Sequence, residues 1–136
     1  ETFCALTGHP VYTEMFTAHQ QRSLDHIHLA EWADALIIAP ATANILGKMS
    51  CGVADDLLST TFLACSCPVG LVPAMNDQMY AHSIVQRNVQ VLKDIGCRVL
   101  EPVEGQLASG KVGRGRMPEP EAVFEWIVEI MTQQGK

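Results

Sequence analysis

Two short apolar runs constrain the fold of this chain more than any other feature. Residues 35–39 read Ala-Leu-Ile-Ile-Ala and residues 68–72 read Pro-Val-Gly-Leu-Val. Neither alternates with polar residues. Continuous apolar runs of that length suit strands covered by helices on both faces, as in a parallel sheet. A third run at 97–100 reads the same way. Between the runs lie helical patterns. Residues 42–51 form one, stopped by Gly52, and 55–64 a second with Asp55 as N-cap. Residues 83–95 are the clearest amphipathic helix, with Ile84, Val85, Val89, Leu92 and Ile95 at helical spacing and Gly96 as its cap. A last helix at 121–131 follows Pro118 and Pro120. Alternating strands and helices predict an α/β fold with a Rossmann-like, doubly wound parallel sheet.

The remaining segments are less regular. Residues 1–6 read as the tail of a helix stopped at Gly8, 10–16 as a short extended piece, and 17–24 as a polar loop. Residues 26–32 read as a short helical connector, 105–115 with four glycines as a mobile loop, and 133–136 as a frayed end. The chain starts within a helix, without Met, and offers about three core strands. It is therefore read as an excerpt of a larger fold.

Composition removes several function classes. With 9 basic and 15 acidic residues the net charge is −6, which disfavours a general nucleic-acid surface. No apolar stretch approaches the roughly 20 residues of a membrane span. Five cysteines occur without a Cys-x-x-Cys pair, and Cys65-Ser66-Cys67 alone cannot complete a zinc site. They read as free thiols of a reducing cytoplasm. Hydrophobic content of 48% suits a real core in one domain.

Function concentrates where the strands end. The first run delivers Pro40-Ala41-Thr42-Ala43-Asn44, and the second delivers Pro73-Ala74-Met75-Asn76-Asp77-Gln78-Met79-Tyr80. In open parallel sheets that edge binds ligands. The loops hold amides and a hydroxyl but no metal-ligand cluster, so they suit a neutral heteroaromatic cofactor better than a metal. These two loops, the His26-Ile27 pair and the 105–117 segment together resemble the flavin-containing cysteine decarboxylases, with the same motifs in the same order. Within that family the resemblance points to the branch acting on 4′-phosphopantothenoylcysteine.

That resemblance implies a set of expectations. The chain is a partial flavoprotein decarboxylase domain, 1–136, whose glycine-rich phosphate loop lies upstream. Thr42, Ala43, Asn44, Ile45 and Ala74 contact FMN. Ile45 stands where the family has Thr, leaving only its backbone to donate. Asn76 holds the substrate carboxylate and Met75 packs beside it. His26 is the acid/base group, with His28 the nearest decoy and His9, His19 and His82 on the surface. Residues 105–117 form a substrate-covering flap. There Ser109 replaces the family's proton-donating Cys, a much weaker acid in its place. Lys111, Arg114 and Arg116 add charge suited to a substrate phosphate. A homo-oligomer is implied, trimeric or built from trimers, with His26 serving a neighbour's site and a synthetase domain following in two-domain relatives. Read without the resemblance, the same residues remain an N-cap, an Asx turn and a solvated basic loop. Two alternatives therefore stay open: a flavin-binding regulatory subunit without decarboxylase activity, and a decarboxylase of peptide C-terminal cysteines.

Overall fold

The apolar runs form neighbouring parallel strands. In the computed structural model, residues 2–12 and 25–133 are described. Strand β1 (Leu36–Ala41) pairs with β2 (Val69–Pro73), which pairs with β3 (Arg98–Val99), giving a three-stranded parallel sheet in the order β1-β2-β3. Each central strand lies one or two residues later than its apolar run predicts. Ala41 and Pro73 still pair at the C-terminal edge and carry the polar loops outward.

Helices α1 (Thr2–Thr7), α2 (Asp25–Trp32), α3 (Ala43–Cys51), α4 (Leu57–Ala64), α5 (Asp77–Ala81), α6 (Ser83–Asp94) and α7 (Pro120–Thr132) complete the described elements, with a separate antiparallel hairpin of β4 (Val103–Gln106) and β5 (Val112–Arg116). Residues 13–24, including His19, lie outside the described residues, so the extended piece and polar loop read there are largely untested.

Strand alternation fixes which helix covers which face. Leu71 joins the core with Leu46 of α3 and Leu92 of α6, all three fully buried. Truncating any of them to Ala should cost about 2–5 kcal/mol. Gly70, one residue earlier, meets Trp126 of α7 instead: a Cβ there would lie 2.9 Å from its ring. The absent side chain is what lets α7 close on β2.

Helix starts and stops follow local chemistry. Thr42 caps α3, and Gly52 ends it in the left-handed region at φ 72°. The cap of α4 is Asp56, not Asp55. Asp56 has a reciprocal partner three residues on, in a capping box. Its Oδ1 accepts from Ser59 N at 2.7 Å, and Ser59 Oγ accepts from Asp56 N at 3.2 Å. Asp55 remains outside the helix and pairs with Lys48 at 2.8 Å.

The largest departure is the 105–115 segment. It is no mobile loop. Most of it belongs to the β4–β5 hairpin, in register Gly105 with Gly113 and Gln106 with Val112. Only 107–111 form a turn, closed by Leu107 N to Lys111 O at 2.8 Å and Gly110 N to Leu107 O at 2.9 Å.

Candidate active site

Two loops meet at the C-terminal edge of the sheet. Ala74 N donates to Ala41 O at 3.1 Å, so the loop after β2 lies directly against the loop after β1. Thr42 Oγ1 accepts from Ile45 N at 3.3 Å. Ile45 therefore spends its backbone N–H on the cap and its side chain in the core, contrary to the expected free backbone donor. Ala43 and Asn44 occupy the first turn, where N–H groups have no intrahelical acceptor. Asn44 is exposed with its amide available. Neutral donors beside the apolar Ala74 fit the polar edge of a planar heteroaromatic ring. No group of three or more His, Cys, Asp or Glu side chains that could hold a metal ion occurs among the described residues.

Asn76 caps the short helix α5. Its Oδ1 accepts from Gln78 N at 2.9 Å and Met79 N at 3.3 Å. Two backbone donors fix which amide atom is oxygen. The Nδ2 donors then have no protein acceptor among the described residues and are left for a ligand. Asx capping and ligand binding thus coexist at Asn76.

The hairpin rests on this loop. Met75 N donates to Gly115 O at 2.9 Å. A Cβ on Gly115 would lie 2.0 Å from Met75 O, and one on Gly113 would lie 2.7 Å from Asp77 Oδ2. Glycine at alternate positions gives β5 one bare face, and the backbone of the Asn76 loop lies against it. The two elements enclose a cleft of about 340 Å³, with walls that include Ala74, Met75, Asn76, Leu107, Ser109 and Arg116. Ser109 sits exposed at the hairpin tip.

The structure brings Ala74, Met75, Asn76, Ser109 and Arg116 to one cleft, with Ala43 and Asn44 on the adjoining loop. Arg116 also pairs with Glu119 at 2.5 Å. Lys111 is exposed in the turn. Arg114 points away from the cleft, toward Glu101 at 3.4 Å and the Pro102 carbonyl at 3.4 Å. His26, in the first turn of α2, is half-buried and is not a wall of the cleft. His28 is exposed beside a shallow groove with Tyr12 and Trp32. His82 is an N-cap: its Nδ1 accepts from Ile84 N at 3.1 Å.

Behind α5 lies a polar network that sequence reasoning misses. Glu101 accepts from Tyr80 OH, from Lys93 Nζ at 3.0 Å and from Arg114 Nη2 at 3.4 Å. Burial, then the Glu101 carboxylate, pushes the Tyr80 phenol up to about 12, so it stays a donor. Burial pushes the Glu101 carboxyl up as well, but hydrogen bonds from Tyr80 and Lys93 and the charges of Lys93 and Arg114 outweigh it. The group is held below the usual carboxylate range. All five cysteines are free. Burial pushes the Cys97 thiol up, and burial followed by the neighbouring Cys67 raises Cys65 to about 11.

The chain as a whole has counterparts among known proteins. The chain is 51% identical over 124 residues to the coenzyme A biosynthesis bifunctional protein CoaBC of Bacillus subtilis, covering 91% of this chain and 30% of that protein. It superposes with a TM-score of 0.77 on a PPC decarboxylase, a cysteine-to-serine mutant complexed with pantothenoylaminoethenethiol, at 34% identity over 83% of this chain and 63% of the other. The FMN-dependent cysteine decarboxylase SpaF aligns with a TM-score of 0.74 at 37% identity, covering 95% of this chain and 70% of that one. The chain thus spans under a third of the length of its Bacillus relative. The family profile described as Flavoprotein matches residues 1–132, and the chain belongs to the flavoprotein family.

Proposed function

We propose that the chain is the decarboxylase portion of an FMN-dependent enzyme that converts 4′-phosphopantothenoylcysteine to 4′-phosphopantetheine. The observation that carries this reading is Asn76: a capping residue whose oxygen is committed to Gln78 and Met79 and whose Nδ2 donors remain for a ligand, in a cleft with Ser109. The likeness to CoaBC, 51% identical, supports the substrate class.

The loops fit FMN with Ala43, Asn44 and Ala74 at the ring edge and Thr42 and Ile45 holding the turn. Bound FMN supplies the two-electron acceptor that a cysteine-type carboxylate needs, because oxidising its thiol-bearing carbon creates a sink for the electrons left by departing carbon dioxide. Asn76 grips the carboxylate through neutral donors. A cation would stabilise the charged ground state more than the transition state, in which that charge is dispersing. Met75 gives the departing carbon dioxide an apolar neighbour. Ser109, at the hairpin tip, would relay a proton to carbon in the closing step, in which the enethiol left after carbon dioxide departs is reduced to the saturated thiol by the same two electrons that FMN had accepted. A hydroxyl is a weak acid, so in this reading Ser109 passes on a proton taken up from solvent, to which the hairpin tip is exposed.

His26 lies off the cleft of its own chain. In this reading it acts as the acid/base of a neighbouring subunit's site in a homo-oligomer, trimeric or built from trimers. Mixing His26→Asn with Asn76→Asp subunits should then restore activity that neither has alone. No rescue in confirmed mixed assemblies contradicts a shared site. Arg116, which lines the cleft although it pairs with Glu119, and Lys111 in the hairpin turn are the cations placed for a substrate phosphate, whereas Glu101 holds Arg114 away from the cleft.

Asn76→Asp tests the assignment. It exchanges two donors for a like charge and should slow carbon dioxide release by about 30- to 1000-fold, from roughly 2–4 kcal/mol of lost carboxylate binding, with flavin retained. Unchanged turnover would overturn it. One observation favours a second reading, a flavin-binding regulatory subunit: Ser109 stands where the resembling decarboxylases carry Cys. Flavin uptake without carbon dioxide release from any cysteine substrate selects that reading. Release from a peptide ending in Cys, but not from the phosphorylated substrate, selects a peptide decarboxylase.

A further inference from the structure

Three elements converge on one carboxylate outside the cleft, and none of the proposed chemistry uses it. Glu101 follows β3, with the backbone fixed on both sides: Leu100 N donates to Leu71 O at 2.9 Å, and the next residue, Pro102, is buried. Its Oε2 accepts from Tyr80 of α5 and Arg114 of β5, and its Oε1 accepts from Lys93 of α6.

Two of those donors stand on the elements that flank the cleft, outside its walls: Tyr80 on the helix α5 that follows the Asn76 loop, and Arg114 on β5 of the hairpin. Tyr80 is 5% exposed and lies in the helix that begins directly after Asn76. Any tilt of α5 therefore moves the cap that orients the Asn76 amide. Arg114 lies between Gly113 and Gly115, the two positions at which β5 touches Asp77 and Met75. Its guanidinium stands 6.0 Å from the Tyr80 ring centroid, in cation–π range, and its Nε reaches the Pro102 carbonyl. A short helix and a two-stranded hairpin are each marginal alone. A shared anchor is what gives them a fixed separation.

We infer that Glu101 is a positioning residue: by holding Tyr80 and Arg114 together it sets the distance between the Asn76 loop and the β4–β5 hairpin, and so the width of the cleft. The hollow that contains it, lined by Asp77, Tyr80, Gln86 and Arg114, is the back of the site rather than a second ligand pocket, because Glu101 is already paired with Lys93 and Arg114. The catalytic consequence rests on the cleft being the substrate site. The mechanical part does not.

The test compares Glu101→Gln with Tyr80→Phe, which removes one hydroxyl from the same bond. Amide exchange at Met75, whose N–H donates to Gly115, reports hairpin docking, and Leu36, whose N–H donates to the Pro68 carbonyl, reports the sheet. Both variants should raise Met75 exchange about tenfold or more, the size expected for a lost charge-assisted hydrogen bond, with Leu36 changed less than about threefold. In the flavin-loaded full-length protein the same variants should raise KM for 4′-phosphopantothenoylcysteine about five- to tenfold, with kcat within about threefold. Equal acceleration at Met75 and Leu36 overturns the inference, leaving Glu101 a general stabiliser, as does wild-type exchange at Met75 in both variants. Selective loss of Met75 protection with unchanged KM upholds the positioning and counts against the cleft as the substrate site.

Discussion

Gly115→Ala should undock the hairpin without unfolding the domain. The added Cβ would sit 2.0 Å from Met75 O, where 3.0 Å is the closest approach real Cβ atoms make, and 3.2 Å from Met75 C. The obstruction is backbone, not a side chain that can swing aside. Strand β5 must retreat by about an ångström, and the 2.9 Å bond from Met75 N to Gly115 O goes with it. Overpacking of this kind costs about 1–3 kcal/mol, and the hydrogen bond adds about 0.5–1.5 kcal/mol. Roughly 2–4 kcal/mol falls on docking, about a 30- to 1000-fold rise in local opening. Amide exchange of Met75 and of residues 112–116 reads that opening. Gly113→Ala serves as the comparison and should accelerate exchange less, because it meets the Asp77 carboxylate, which can rotate, and Asp77 Cβ at 2.8 Å, rather than a backbone oxygen at 2.0 Å. Wild-type exchange in Gly115→Ala would refute the close approach, and acceleration spread evenly over β1 and β2 would refute the idea that the hairpin docks as a separate unit.

Three further outcomes follow from local geometry. Gly47→Ala should stabilise the protein by about 1 kcal/mol in denaturant unfolding, the difference in helix propensity between the two residues. Gly47 lies within α3, and a Cβ there meets only Asn88 Nδ2, at 3.8 Å. Asp56 should carry an acid-sensitive share of stability. Hydrogen bonding from Lys48 first, then from Ser59, lowers its carboxyl to about 2 from an ordinary 3.8. Its contribution is therefore complete above about pH 4 and fades as pH falls toward about 2. The side chain is 45% exposed. Screening thus limits the contribution to about 1 kcal/mol or less, and Asp56→Asn should flatten the stability curve over that window. Ser109→Cys should raise the ratio of saturated to enethiol product without much changing carbon dioxide release. An unchanged ratio means another group delivers the proton.

Much of the fold is legible because burial writes itself into composition. Runs at 35–39 and 68–72 lie within a residue or two of β1 and β2, since only strands covered on both faces tolerate unbroken apolar sequence. The α4 cap falls one residue later than the sequence suggests. Asp55 and Asp56 are equivalent in composition, and only the Ser59 spacing separates them. Hairpin β4–β5 escapes detection for a physical reason. A glycine-rich segment suggests mobility, whereas Gly113 and Gly115 recur with period two on one face of a strand, the signature of close backbone approach. That alternation is visible in the sequence. The Tyr80–Glu101–Arg114 network is not, because it joins residues 21 and 13 positions apart that only the tertiary fold brings together. Among site residues, those on the two strand-end loops can be located from sequence because the sheet edge collects them. His26 cannot be related to the cleft that way, since α2 packs on α4, away from it.

Carbon dioxide release by the flavin-loaded full-length protein decides whether the cleft carries out the decarboxylation. Turnover of 4′-phosphopantothenoylcysteine is expected, and Asn76→Asp should slow it by about 30- to 1000-fold while flavin absorbance is retained. Flavin bound in full, with no carbon dioxide from that substrate, would contradict the assignment.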